Sequence, residues 1–179
     1  MSAFEFLFSF YGLLLGLALT EVIAGASRAV NARKRRPIGW LTPLLAVVLV
    51  LDLMTFWATA WRDMREVQFH ASLLLSAGVA PMIYYFAAKQ AFPEPESEIA
   101  SLDEHFFQHR AWVLGGVVVA NQLSYLPTIT DPGTMQGMLN NSVYILPLIA
   151  AALLRIRWMI ALIFVGEIAW LIWLLTVAI

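Results

Sequence analysis

The chain has 179 residues, 61% of them hydrophobic and only 13% charged, with a formal net charge of −1. Soluble domains run near 25% charged, so a soluble fold of this composition could not cover its surface with polar groups, and the near-neutral balance gives no bulk attraction for nucleic acid. Cysteine is absent, which removes disulfides, thiolate nucleophiles, Cys-ligated zinc and iron–sulfur clusters.

The predicted fold class is all-α: a polytopic transmembrane helical bundle of six spans, N-out/C-out, forming one domain over residues 1–179. A helix needs about 20 mostly apolar residues to cross hydrocarbon, and the stretches 4–26, 42–61, 69–92, 110–127, 135–154 and 158–178 qualify. The first opens on Met1-Ser-Ala-Phe-Glu5 without the positive region of a signal peptide, so it is expected to be retained. Gly12, Gly16 and Thr20 recur every four residues along it, a spacing that lets helices approach closely. Glu21 lies in its inner half, and Arg28, two turns along the same face, is the expected partner in a snorkelling ion pair.

The loop 27–41 carries Arg33, Lys34, Arg35 and Arg36. It sets topology, and these four residues are candidates for contact with anionic headgroups. Thr42-Pro43 reads as an N-cap followed by proline at the first helical position. The second span holds Asp52 near its middle, and the outer loop after it holds Arg62, Asp63, Arg65, Glu66 and His70, which could grip a phosphorylated headgroup but match no motif. The third span contains Pro81, whose ring frees the carbonyl of Ala77. The loop 93–109 is acidic, with Glu94, Glu96, Glu98, Asp103 and Glu104, and could pair with the basic loop. Within it Ser101-Leu-Asp-Glu104 reads as a capping box, so the fourth helix is expected to start there and project beyond the membrane. Ile99, Leu102, Phe106 and Phe107 suggest an apolar stripe along the membrane surface. His105 and His109, four apart, could share a metal, but no third ligand is implied, and no metal site is expected. Gly116 and Ala120 repeat the small-residue spacing. Asp131-Pro132-Gly133 suits a tight turn. Pro147 interrupts the fifth span, freeing Val143 O, and Glu167 sits near the middle of the sixth.

Orientation follows from Lys and Arg. Arg28, Arg33, Lys34, Arg35, Arg36, Lys89, Arg110, Arg155 and Arg157 follow odd-numbered spans and only Arg62 and Arg65 follow an even one, nine against two of the eleven. The odd loops are therefore expected in the cytoplasm and both termini outside, in a membrane of the bacterial inner (plasma) type. Trp40, Trp112 and Trp158 fall at the inner edge, Trp61 and Tyr125 at the outer edge.

A carboxylate near mid-bilayer costs at least about 2.5–3.5 kcal/mol on insertion scales. Asp52 and Glu167 lie at that depth with no Lys or Arg level with them. At least one is expected to carry a proton at neutral pH, or both to be neutralised by a bound cation, and a shared pocket would make them titrate as a pair. Neutral partners at similar depth are Asn121, Gln122, Asn140, Asn141 and Tyr144, with Trp57 and Trp170 as possible indole donors. The candidate ion or proton site is therefore Asp52, Glu167, Glu21, Asn121, Gln122, Asn140, Asn141 and Tyr144.

The chain has no GxSxG elbow, no HExxH, no Cys-His pair and no P-loop, so no catalytic residue and no cofactor are assigned. Two functions carry equal weight. One is a small proton- or cation-linked transporter or channel using the midplane acids. The other is a non-catalytic scaffold or accessory subunit, and an intramembrane lipid-modifying enzyme is third. Expected partners are the bilayer with its anionic lipids and a second copy, as a dimer, or another membrane protein.

Overall fold

The computed structural model describes residues 3–63, 71–94, 100–125 and 132–178. Arg65, Glu66 and His70 of the outer loop, Glu96, Glu98 and Ile99 of the acidic segment, and Asp131 of the predicted turn lie outside the described residues. Among the described residues the regular structure is entirely helical: α1 (Ala3–Ala32), α2 (Leu41–Asp63), α3 (Ala71–Gln90), α4 (Leu102–Leu123), α5 (Pro132–Leu153) and α6 (Arg157–Trp173), the last continuing into a π-helical turn, Leu174–Ala178. Each predicted span falls largely on one helix. Pro81 and Pro147 lie inside α3 and α5 without ending them. Among the described residues three segments are long and apolar enough to cross a membrane: Phe4–Ala32, Leu41–Arg62 and Arg157–Val177.

The helices close into a ring. α1 packs on α2 and α3, α3 on α4, α4 on α5, α5 on α6 and α6 on α2, while α2 also touches α4 across the interior. Helical periodicity selects the inner faces. Leu7, Tyr11, Leu15, Ala18 and Val22 form the buried stripe of α1; Leu41, Leu45, Val48, Leu49, Asp52 and Phe56 form that of α2. The outer faces are apolar as well: Leu13, Leu75, Leu146, Leu153, Leu162 and Val177 are each more than 60% exposed. Helices apolar on every side suit an apolar surrounding.

The α1–α2 connection is anchored to the start of α4. Ser101 caps α4 by accepting from Glu104 N at 3.2 Å, while Glu104 Oε2 reaches one residue past the cap to accept from Ala100 N at 3.2 Å, so the expected N-cap is present with a variant of the capping box and α4 begins ahead of the predicted span. Leu102 N donates to Pro37 O at 3.1 Å. The cap expected at Thr42 is a correction. α2 already begins at Leu41, whose N–H is accepted by Asp103 Oδ1 from α4 at 3.3 Å, while the buried Thr42 hydroxyl donates to Leu102 O at 3.1 Å. A side chain distant in sequence has taken the capping role, leaving Pro43 in the first turn, where an N–H is not missed. Gly39, at φ +69°, lets the connector turn against the Asp103 carboxylate, where a Cβ would collide. Asp103→Ala is expected to lower stability by about 1 kcal/mol, the usual effect of losing an N-cap acceptor. Asp103→Asn, which keeps an acceptor oxygen, should lose less. Thermal unfolding in detergent distinguishes them, and equal melting of wild type and Asp103→Ala would remove the capping role.

One further expectation needs correcting. Leu102 and Phe106 do not form a surface stripe: both are 2% exposed, and the Phe106 ring meets Phe164 of α6 edge-on at 5.8 Å. The small residues of α1 were expected to allow close contacts within the protomer or between protomers, and within the protomer they differ from one another. A Cβ on Gly12 would meet the Trp57 ring at an ordinary 3.5 Å and one on Gly16 would meet nothing within 4 Å, whereas Gly25 is pressed by the Phe92 ring. On α4 the expected close approach is present: a Cβ on Gly116 would lie 2.7 Å from Ala87 Cβ of α3.

Candidate functional site

Every helix sends a polar side chain into the interior of the ring. Asp52 comes from α2 and is 1% exposed; Glu167 comes from α6 and is 3% exposed. They reach the inside because each falls on the buried stripe of its helix, Asp52 beside Leu49 and Phe56, Glu167 between Phe164 and Leu171. The two carboxyls are close enough for their charges to interact. Asp52 Oδ2 accepts from Asn121 Nδ2 of α4 at 3.2 Å, and the same amide donates to Val117 O at 3.1 Å. The hydroxyls of Tyr84 on α3, Tyr144 on α5 and Thr55 on α2 flank the Asp52 carboxyl, and Tyr11 of α1 lies within range of its charge.

These donors are incompletely used. Tyr84 Oη donates to Leu49 O at 3.1 Å and Thr55 Oγ1 to Asp52 O at 2.7 Å. Tyr144 Oη, Glu167 Oε2 and Asn141 Nδ2 are buried with no protein atom at hydrogen-bonding geometry. A buried polar atom without a partner carries a desolvation cost of about 1–3 kcal/mol. Among the described residues no cation pairs with Asp52 or Glu167. The arrangement offers two buried carboxyls that can each take up a proton, with neutral donors beside Asp52.

The remaining sequence candidates divide. Asn121 and Tyr144 join the acids, and Asn141 is half-buried on α5. Gln122 is half-buried one position round α4 from Asn121, and no contact joins it to either acid. Asn140 is exposed and accepts from Gln136 Nε2 at 2.9 Å. Glu21 stays at the edge, paired with Arg28 at 2.9 Å as expected. The indoles do not serve the acids: Trp57 is 44% exposed and packs edge-on against Phe8, and Trp170 stacks on Trp173. Tyr11, Thr55 and Tyr84 were not foreseen. Their signal was depth, since each tyrosine falls within about one turn of the middle of its predicted span, but a tyrosine there reads equally as core.

His105 and His109 stack face to face with centroids 4.1 Å apart. His105 Nε2 donates to Gln90 O at 2.9 Å, and His109 Nδ1 donates to His105 O at 3.2 Å. Stacked rings with these nitrogens on carbonyls do not converge on one point, and among the described residues no cluster of three metal-ligating side chains occurs. His105 lies ahead of the predicted fourth span. Burial, helped by the neighbouring His109 charge and opposed by the bond to Gln90, pushes its imidazole below the ordinary 6.5. The folded state therefore prefers the neutral ring, so this group's stabilisation is present above about pH 6.5 and is lost as pH falls from there toward the lowered folded value. His105→Gln is expected to flatten that acid-side loss when melting temperatures are compared between about pH 8 and pH 5; an unchanged slope would refute the assignment.

Compared with protein-family models, with curated proteins and with solved structures, the chain has no match.

Proposed function

We propose that this chain is a six-span membrane protein, N-out/C-out, that works as a small proton- or cation-linked transporter or channel with Asp52 and Glu167 as the exchanging groups. The observation that carries this reading is a pair of nearly inaccessible carboxyls, Asp52 of α2 and Glu167 of α6, turned into one interior within range of each other's charge and, among the described residues, paired with no cation. Ionisable groups inside a membrane bundle mark ion paths by default. Two carboxyls buried in one interior without a cation are costly to charge together, so on this reading the pair carries at least one proton, and a change of their joint protonation is the coupling event. Asn121 and Tyr144 line the path, Tyr84 and Thr55 complete it, and Glu21 stands at its edge. The apolar outer faces, with Trp40, Trp112 and Trp158 each at least 65% exposed, support the six-span topology and its interfacial aromatics.

The test is reconstitution. Purified protein in liposomes is expected to dissipate an imposed pH gradient, reported by a trapped dye, and the Asp52→Asn and Glu167→Gln variants are not. Unchanged flux in both variants would end the reading.

A second reading, an accessory subunit or scaffold, draws on one observation. The α1 face at Gly16 is open, and Thr20 beside it is exposed, its hydroxyl donating to Gly16 O at 2.8 Å. A small, smooth face of this kind accepts another helix in lipid, from a second copy or another membrane protein. Under this reading a bulky residue at Gly16 disperses a complex seen in mild detergent, and flux is absent from the wild type as well.

A further inference from the structure

The structure contains a second polar feature, unrelated to the buried acids. Where α5 hands over to α6, a groove of about 430 Å³ is lined by Arg110, Arg155, Arg157 and the ring of Phe107. We propose that this groove is a binding site for a phosphate group carried by an anionic molecule, with the headgroup of a phosphate-bearing lipid as the favoured source.

Three guanidinia share one wall, and the charges nearby do not balance them. Arg110 is held in place: its Nε donates to Ala152 O at the end of α5 at 2.8 Å, and its guanidinium lies 4.9 Å from the Phe107 centroid. Arg157 lies 5.7 Å from the same ring, so one aromatic side chain orients two cations. Arg155, in the link between the helices, is exposed and has no carboxylate partner among the described residues. Asp103 is the acid that pairs with this wall among the described residues; it reaches Arg157 only at 3.8 Å, and its other oxygen accepts from the Leu41 N–H. Among the described residues that leaves an excess of positive charge along an open groove, a cost that an anion removes.

The backbone adds to this. α6 begins at Arg157 behind Ile156, which supplies no side-chain cap, and its first turn contains no acid. The positive end of its dipole therefore lies at Arg157, a residue that lines the groove, with no acid in its first turn to offset it. Guanidinium forks match phosphate oxygens in pairs, and three of them beside a helix start suit a phosphate better than a lone carboxylate. Trp158, 65% exposed next to Arg157, is the amphipathic ring expected at headgroup level, and this favours a lipid over a free ion.

The experiment uses full-length protein in detergent, with bound molecules counted by native mass spectrometry in the presence of phosphatidic acid, of phosphatidylcholine, or of inorganic phosphate. Phosphatidic acid is expected to be retained about tenfold or more over phosphatidylcholine, since hydrogen bonds between charged groups reach that scale. The double variant Arg155→Gln/Arg157→Gln, which alters exposed side chains, should lose the preference. Lys89→Gln, an exposed cation at the end of α3, should keep it. If inorganic phosphate also binds, and does so only with Arg155 and Arg157 present, the site reads phosphate whatever carries it. Retention unchanged in the 155/157 variant, or lost equally in Lys89→Gln, would overturn the proposal. Neither outcome depends on whether the buried acids carry a proton.

Discussion

The Asp52→Asn variant is expected to reach the membrane folded and to conduct no more than protein-free liposomes. Asparagine keeps the volume of aspartate and can still accept from Asn121 Nδ2, now 3.2 Å from Asp52 Oδ2, so packing among Leu49, Leu53 and Phe56 should survive. What disappears is the capacity to gain and lose a proton. Glu167→Gln makes the same change across the interior and should have the same effect on flux. The double variant should be no worse than either single one, because under the proposed function both acids serve one proton path, and residues that work as a unit are not additive. Stability should move the opposite way. Removing an ionisable group that is 1% or 3% exposed and faces no cation relieves a desolvation cost, so melting temperatures should hold or rise. A scaffold with two acids serving only as packing hydrogen bonds would show the same stability without any flux in the wild type. Loss of folding in both single variants, with an unstable Asp52→Glu, would instead make the carboxyls structural.

The second large effect is steric. Gly116→Leu is expected to destabilise the protein by about 1–3 kcal/mol, the range for overfilling a packed interior. A Cβ at this position would stand 2.7 Å from Ala87 Cβ and 3.6 Å from Ala87 Cα, and behind Ala87 is the backbone of α3, which cannot rotate aside as a long side chain can. The α3–α4 contact must open, which also pulls Tyr84 and Asn121 away from Asp52. Gly16→Leu is the control. Nothing lies within 4 Å of a Cβ there, so the protomer should melt as wild type does, although the residue belongs to a more regular small-residue repeat. Equal destabilisation by the two substitutions, measured by thermal unfolding in detergent, would contradict the close approach at Gly116.

Much of the site was legible in the sequence because membrane depth can be counted along a helix. Asp52 and Glu167 were found as acids near the middle of apolar runs, and Asn121 and Tyr144 as neutral groups level with them. The pairing of Glu21 with Arg28 followed from two turns of a helix, and the start of α4 from a local capping box. Each of these depends on neighbours within a few residues or on distance along one axis. The failures share the opposite character. Trp57 and Trp170 had the right depth, but rotation about the helix axis turned them toward Phe8 and Trp173. Leu102 and Phe106 resemble a surface stripe until the α1–α2 connector meets Leu102 and Phe164 of α6 meets Phe106. Thr42 resembles an N-cap until Asp103, sixty-two residues from Leu41, takes the bond.

By itself the sequence determined that the chain is helical and apolar enough to offer membrane-crossing helices, and at what height along them its acids stand, because hydrophobic length and charge cost act one residue at a time. Only the tertiary structure decided which faces turn inward. It brought α2 and α6 side by side, drew Tyr11, Tyr84 and Tyr144 around one carboxyl, and set two arginines over one phenylalanine with a third beside them. Those outcomes depend on how six ridged surfaces pack into a ring, a property of all the helices together that no single stretch encodes.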